Sequence, residues 1–381
     1  MSTKPKVLVF SDWYLPGYKA GGPISSVANL VSNLGDEVDF RIVCSDRDYM
    51  DTAPYDLPLD QWQRRNLEEV IYLSPQNREL ATIKAIIREV NPDVVYINGV
   101  FSKAFSIFPL RASKALGKKT VVAPRGMLAP GALGIKPAKK KIFLFIAKLF
   151  GAYNRIVFHA TYKREQDHIN RHFPNSRVEV IPNLPTSPDA GIRQNTKNKN
   201  EIELLCIARI APEKNTLFAL DLLHQISSDY TVWAKFVGPT YSEEYFESCR
   251  KLAAQMPDHV VVKFEGSVKP DHLKDYFLSS DLFFLPTLGE NYGHAIIESL
   301  LHGLPVLISD QTPWLNLRRD ELGADLPLGR EEDFLGEIQR IAAMDAEAYR
   351  HAFGNVAANA SKRIDLESTK SRYKKLFLWE E

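Results

Sequence analysis

Residues 281–310, DLFFLPTLGENYGHAIIESLLHGLPVLISD, read as strand, turn, helix, turn, strand. Residues 281–286 are a short apolar run closed by Pro286, as expected of a buried parallel strand. Residues 287–293 carry turn chemistry. A helix is predicted over 295–301, with Ile296/Leu300 and Ile297/Leu301 stacked four apart. Gly303 and Pro305 stop it, and residues 306–308 form the next buried strand. Two acids stand out in this unit. Glu290 falls where a strand's C-terminal end meets a helix N-terminus, the place at which open α/β sheets bind ligands. Glu298 is the only charge in its apolar run, so it is paired or it holds something. Helical rise puts the two carboxylates roughly 10 Å apart along the axis. Spacing alone leaves a plainer reading open, in which Glu290 caps the helix and Glu298 makes a salt bridge.

The wider pattern is P-T-x-x-E-x-Y-G-x-x-x-x-E-x-x-x-x-G-x-P-V, from Pro286 to Val306. It resembles the donor-binding motif of retaining glycosyltransferases of family 4. The resemblance implies an α/β chain of the GT-B fold, two Rossmann-like doubly wound domains facing each other across a cleft. It implies that Glu290 sits by the transferred sugar and that Glu298 holds the ribose hydroxyls. Asn291, Tyr292 and Gly293 would present backbone N–H groups to the sugar.

Composition sets the outer bounds. At 381 residues the chain is too long for one ordinary core and fits two domains. A net charge of +1 gives no overall field toward nucleic acid. Cys44, Cys206 and Cys249 are scattered without metal-ligand spacing, in keeping with a reducing compartment. No apolar run approaches the roughly 20 residues of a membrane span, and no signal peptide is read before the first strand. The expectation is a cytoplasmic protein.

In the first half, strands are predicted at 6–10, 38–44, 70–73, 93–98, 119–123, 155–160 and 178–181. After the first comes Gly21-Gly22, then a helix opening at Pro23 with Ile24, Val27, Leu30 and Val31 on one face. The glycines would let backbone approach an anion at that helix N-terminus. They resemble the family's glycine loop, which faces the donor diphosphate. Asp46-Arg47-Asp48 is a literal D-x-D, read here as a solvated loop, and residues 51–64 as a polar surface excursion. Many relatives carry a histidine where this chain has Arg125 or Asn98. The P-R-G-M-L form at 124–128 resembles a subgroup of surface-polysaccharide enzymes. That places Arg125, Asn98 and His159 on the acceptor side, His159 as support for the wall. A loop salt bridge is the other reading of Arg125.

Residues 136–150, KPAKKKIFLFIAKLF, join lysines to aromatics. Such a helix either lies in a membrane interface or is buried against the first domain with lysine stems extended at its ends.

In the second half, Arg209 and Lys214 flank a strand-to-helix turn where two cations and free N–H groups would hold a diphosphate. They match the family's R-x-x-x-x-K. The backbone near Val268 matches the segment that meets the nucleobase. The resulting division is an acceptor-side domain at 1–185, a linker at 186–200, a nucleotide-sugar domain at 201–360, and a terminal helix at 361–381 that crosses back.

The activity implied is transfer of a hexose-type sugar from a UDP- or GDP-linked donor to a hydroxyl of a glycan or lipid-linked glycan. No metal or other cofactor is expected, nor nucleic acid; contact with the inner membrane face is an expectation from residues 136–150. Other GT-B activities (phosphorylase, sugar-nucleotide epimerase) and a non-catalytic nucleotide-binding partner are the alternatives.

Overall fold

The strands of this chain are short, apolar and rich in Val, Ile, Leu and Phe, which suits sheets covered on both faces. The computed structural model describes residues 4–134, 137–186 and 197–379, and the chain divides into two units. One unit takes the described residues of Met1–Thr186 and Leu366–Glu381; the other takes those of Ser187–Asp365. Residues 187–196 of the expected linker, and Lys136, lie outside the described residues.

The first unit holds β1 (Lys6–Ser11), β2 (Asp39–Ser45), β3 (Trp62–Arg64), β4 (Glu68–Leu73), β5 (Val94–Asn98), β6 (Lys119–Ala123), β7 (Val157–Ala160) and β8 (Arg177–Val180). Their order is β3-β4-β2-β1-β5-β6-β7-β8. All neighbours run parallel except β3, which pairs antiparallel with β4. Residues 51–64 stay at the surface, as expected, and their last three form the short edge strand β3. Trp62 stands opposite Ile71, and that pairing fixes the register of the added edge. Apolar clusters cover both faces of the sheet. The helix Leu366–Leu378 closes one of them, with Tyr373, Leu376 and Phe377 buried beside Val9, Phe40 and Tyr96.

The second unit holds β9 (Glu201–Ile207), β10 (Thr231–Val237), β11 (Val260–Gly266), β12 (Leu282–Leu285), β13 (Val306–Ser309) and β14 (Gly323–Leu326). Their order is β11-β10-β9-β12-β13-β14, all parallel. Each sheet therefore reverses its winding once, between β1 and β5 and between β9 and β12. A reversal leaves a crevice at the strands' C-terminal ends, because the two flanking connections leave in opposite directions.

One expectation changes. Asp46 and Asp48 are buried, not solvated. Asp48 accepts backbone N–H bonds from Tyr18 (2.7 Å), Lys19 (3.0 Å) and Tyr49 (2.7 Å), and Asp46 is bound by Arg47 and Arg78. The D-x-D thus ties down the segment leading into Gly21. The helix Pro137–Leu149 buries only Leu144 and Ala147. No helix among the described residues is long and apolar enough to cross a membrane.

Candidate active site

In the second unit the winding reversal brings together the loops that follow β9 and β12. Arg209 leaves the end of β9, and a single turn at Pro212–Lys214 leads into the helix Thr216–His224. The Glu213 carbonyl accepts bonds from Leu288 N–H and Thr287 Oγ1, each at 3.0 Å, so one loop is sewn to the other. Lys214 Nζ then pairs with Glu290 Oε1, both side chains largely buried. Glu290 donates its own N–H to Gln311 O at 3.2 Å. It does not cap the following helix; that position is held by Gly293.

Gly293 has φ 78°, and a Cβ there would meet Ile296 Cδ1 at 2.7 Å. The positive φ favours glycine, and the contact would require the buried Ile296 side chain to shift. The helix His294–Leu301 buries Ile296, Ile297, Ser299 and Leu300, which leaves Glu298 half-buried on a different side. The Glu298 carboxylate lies near Tyr292. Burial first, and that charge second, push the Tyr292 hydroxyl far above its ordinary range, so it stays protonated. Trp314 Nε1 donates to Tyr292 O at 2.6 Å and fixes the turn.

Both cations of the expected diphosphate site are engaged. Arg209 pairs with Glu213 at 2.8 Å and lies 6.0 Å from the Tyr241 ring centre. Glu213, inside the R-x-x-x-x-K spacing, was not singled out from the sequence, although it is an acid between two cations on one turn. Val268 is half-buried two residues beyond the end of β11. Among the described residues, no group of three or more His, Cys, Asp or Glu is placed to hold a metal ion.

In the first unit Gly21 caps the helix Gly22–Leu34 with φ 64°, and a Cβ there would meet nothing within 4 Å. The three residues expected on the acceptor side form one network. Asn98, buried at the end of β5, donates to Ser11 Oγ and Pro23 O, each at 3.2 Å. Arg125 donates to Asn98 Oδ1 (2.7 Å), to the Tyr96 hydroxyl (2.8 Å) and to Asn183 Oδ1. These partners are neutral, so the loop salt bridge is replaced by a three-way clamp. Glu165 accepts the next N–H, that of Gly126, at 2.6 Å. Tyr96 in turn meets His159 Nδ1 at 2.6 Å, while His159 Nε2 faces Ile181 O at 2.8 Å. A proton on Nε2 satisfies both contacts. Full burial, then the Arg125 charge, lower the His159 pKa to about 3, so the ring is neutral. His159 is wholly buried and supports Tyr96 and Arg125 from behind without itself reaching a surface.

Residues 189–355 match the family described as Glycosyl transferases group 1. A protein of Klebsiella pneumoniae, described as an uncharacterized 41.2 kDa protein in a cps region, is 22% identical over 76% of this chain and 78% of its own length. Sucrose-phosphate synthase of Thermosynechococcus elongatus superposes with TM-score 0.72 at 15% identity, over 99% of each chain. HepE of Anabaena, in complex with UDP and glucose, superposes with TM-score 0.69 at 16% identity, over 98% of this chain and 100% of that one. The fold is GT-B.

Within this GT-B chain, several residues act by holding others in place, a role that local sequence does not show. Tyr96 and Asn183 meet Arg125, Glu165 meets the following peptide, and Trp314 meets Tyr292. Spacing does not reveal these pairings, because each partner is distant in sequence.

Proposed function

We propose that this chain is a retaining glycosyltransferase of the family 4 type. It moves a hexose-type sugar from a UDP- or GDP-linked donor to a hydroxyl of a glycan or lipid-linked glycan in polysaccharide biosynthesis. The observation that carries this reading is the Lys214–Glu290 pair at the winding reversal of the second sheet. It sets one cation and one carboxylate side by side at a place suited to a diphosphate and its sugar. The UDP and glucose bound by HepE support a nucleotide-sugar donor.

In this mechanism Arg209 and Lys214 stabilise the charge that gathers on the departing diphosphate. Arg209 exchanges Glu213 for phosphate oxygen as the donor arrives. Glu290 orients the sugar and favours positive charge at its anomeric carbon. The acceptor oxygen bonds to that carbon on the face from which the diphosphate leaves, and the acceptor proton passes to a diphosphate oxygen. Configuration is retained without an enzymic nucleophile.

The test is incubation with UDP- and GDP-linked hexoses while slow nucleoside diphosphate release is followed, together with the anomeric form of the product. No release with any donor, despite a ligand-dependent rise in thermal stability, would point to a non-catalytic nucleotide-binding protein. Turnover that requires inorganic phosphate would point to a phosphorylase.

A further inference from the structure

The helix Pro137–Leu149 carries two apolar stripes on opposite sides. Lys140, Phe143, Leu144 and Ala147 form one, at the i, i+3, i+4, i+7 spacing of a single helix face. It is the attached side. Leu144 and Ala147 are buried, the Phe143 ring meets Phe101 edge-on at 5.5 Å, and Lys140 donates to Ala132 O at 2.6 Å. Ile142, Phe145, Ile146 and Leu149 form the second stripe at the same spacing, two residues out of step and so about 200° around the helix. These four are 60%, 68%, 48% and 67% exposed, and Phe150 beyond them is 78% exposed. A helix that only braces the first unit needs one apolar stripe. The second faces water in an isolated chain, at a concentration of apolar surface that marks an interaction site.

Charge decides what covers it. From residue 94 to residue 164 the sequence has fourteen Lys and Arg and not one Asp or Glu, within a chain whose net charge is only +1. Lys139, Lys141 and Lys148 are exposed on the helix itself. Just past its end, Lys114 holds Gly151 O and Ala152 O at 2.8 and 3.0 Å, with Arg155 near enough to lower the Lys114 pKa after burial has done so. A second copy packed face to face would bring these cations against one another, because a two-fold contact repeats the same patch on both sides. An anionic lipid surface matches both features, taking the rings and aliphatic side chains at the acyl boundary and the lysines among the headgroups.

We propose that the outer stripe of Pro137–Leu149 seats the protein on an anionic bilayer surface, the helix lying in the plane of the interface. This does not depend on the catalytic reading above.

The experiment is co-sedimentation of the full chain with vesicles of phosphatidylcholine alone or with phosphatidylglycerol, at low and high salt, alongside sedimentation analysis without lipid. Two variants accompany it, Phe145→Ser with Leu149→Ser, and Lys139→Glu with Lys141→Glu and Lys148→Glu. All five positions are exposed, and circular dichroism checks that each variant folds. The expected result is binding to phosphatidylglycerol vesicles that is at least about tenfold weaker for either variant, for neutral vesicles and at high salt. No binding at low salt overturns the proposal, as does undiminished binding of the serine variant. A dimer that the serine substitutions dissolve, with no vesicle binding, assigns the face to a second copy instead.

Discussion

Lys214 and Glu290, 76 positions apart in sequence, meet as an ion pair where the loops after β9 and β12 are joined through the Glu213 carbonyl. Neither side chain is free to wander, since each loop is held by the other's backbone. A cation and a carboxylate positioned this way before any ligand arrives need little rearrangement during a reaction.

Glu290→Gln is expected to lower turnover by about a hundredfold or more. Calorimetry should find nucleoside diphosphate binding nearly unchanged, because Lys214 remains. Sugar transfer at the parental rate by a folded Glu290→Gln protein would falsify the assigned role.

Glu298→Gln should act on binding instead. Loss of one charge-assisted hydrogen bond to a ribose hydroxyl weakens nucleotide affinity by roughly 1–3 kcal/mol. Titration of parent and variant with the same nucleoside diphosphate measures it, and equal affinities would remove Glu298 from the site.

Arg209 and Glu213 form a pair about one-third exposed, the kind that adds little stability. Arg209→Ala should therefore leave the melting temperature almost unmoved while weakening diphosphate binding about tenfold or more. Glu213→Ala should not weaken that binding, because it only releases the guanidinium. A weaker complex with Glu213→Ala would place the carboxylate itself in the site.

Turnover should persist in a strong chelator. In the proposed mechanism Arg209, Lys214 and the N-terminus of the helix His294–Leu301 would supply the positive charge that a departing diphosphate requires. Activity lost in chelator and restored by magnesium or manganese would contradict this.

His159 makes stability depend on pH. Its pKa is about 3 in the folded chain against 6.5 unperturbed, so below 6.5 the unfolded chain takes up a proton that the folded chain refuses. Stability from this group is complete above pH 6.5 and falls as pH drops toward 3, by up to about 1.4 kcal/mol per pH unit. His168 and His172, both lowered chiefly by burial, add in the same direction. Urea unfolding of parent and His159→Gln between pH 4 and 7 should differ in slope by about one proton. Identical slopes would mean that the buried ring titrates normally.

The parallel strand–helix–strand unit was legible because sheets covered on both faces require continuous apolar strands, and residues 282–285 and 306–308 are such runs about a helix, while the GT-B fold itself was implied by the family resemblance. Glu298 was legible for the opposite reason, as a charge where the pattern calls for apolar side chains. Partners were not legible. That Lys214 meets Glu290, that Arg125 meets three neutral groups, and that Asp48 holds the peptides before Gly21 depend on which strand ends the winding brings together. The resemblance, which places the donor in the second domain, left Asp46 and Asp48 as a solvated loop; in the folded chain backbone N–H groups and arginines take the place of water. The helix Pro137–Leu149 was apolar nearly all round in the sequence. Only its attachment through Leu144 and Ala147 decided which stripe would be buried and which would face outward, because one helix can rest only one side on a sheet domain.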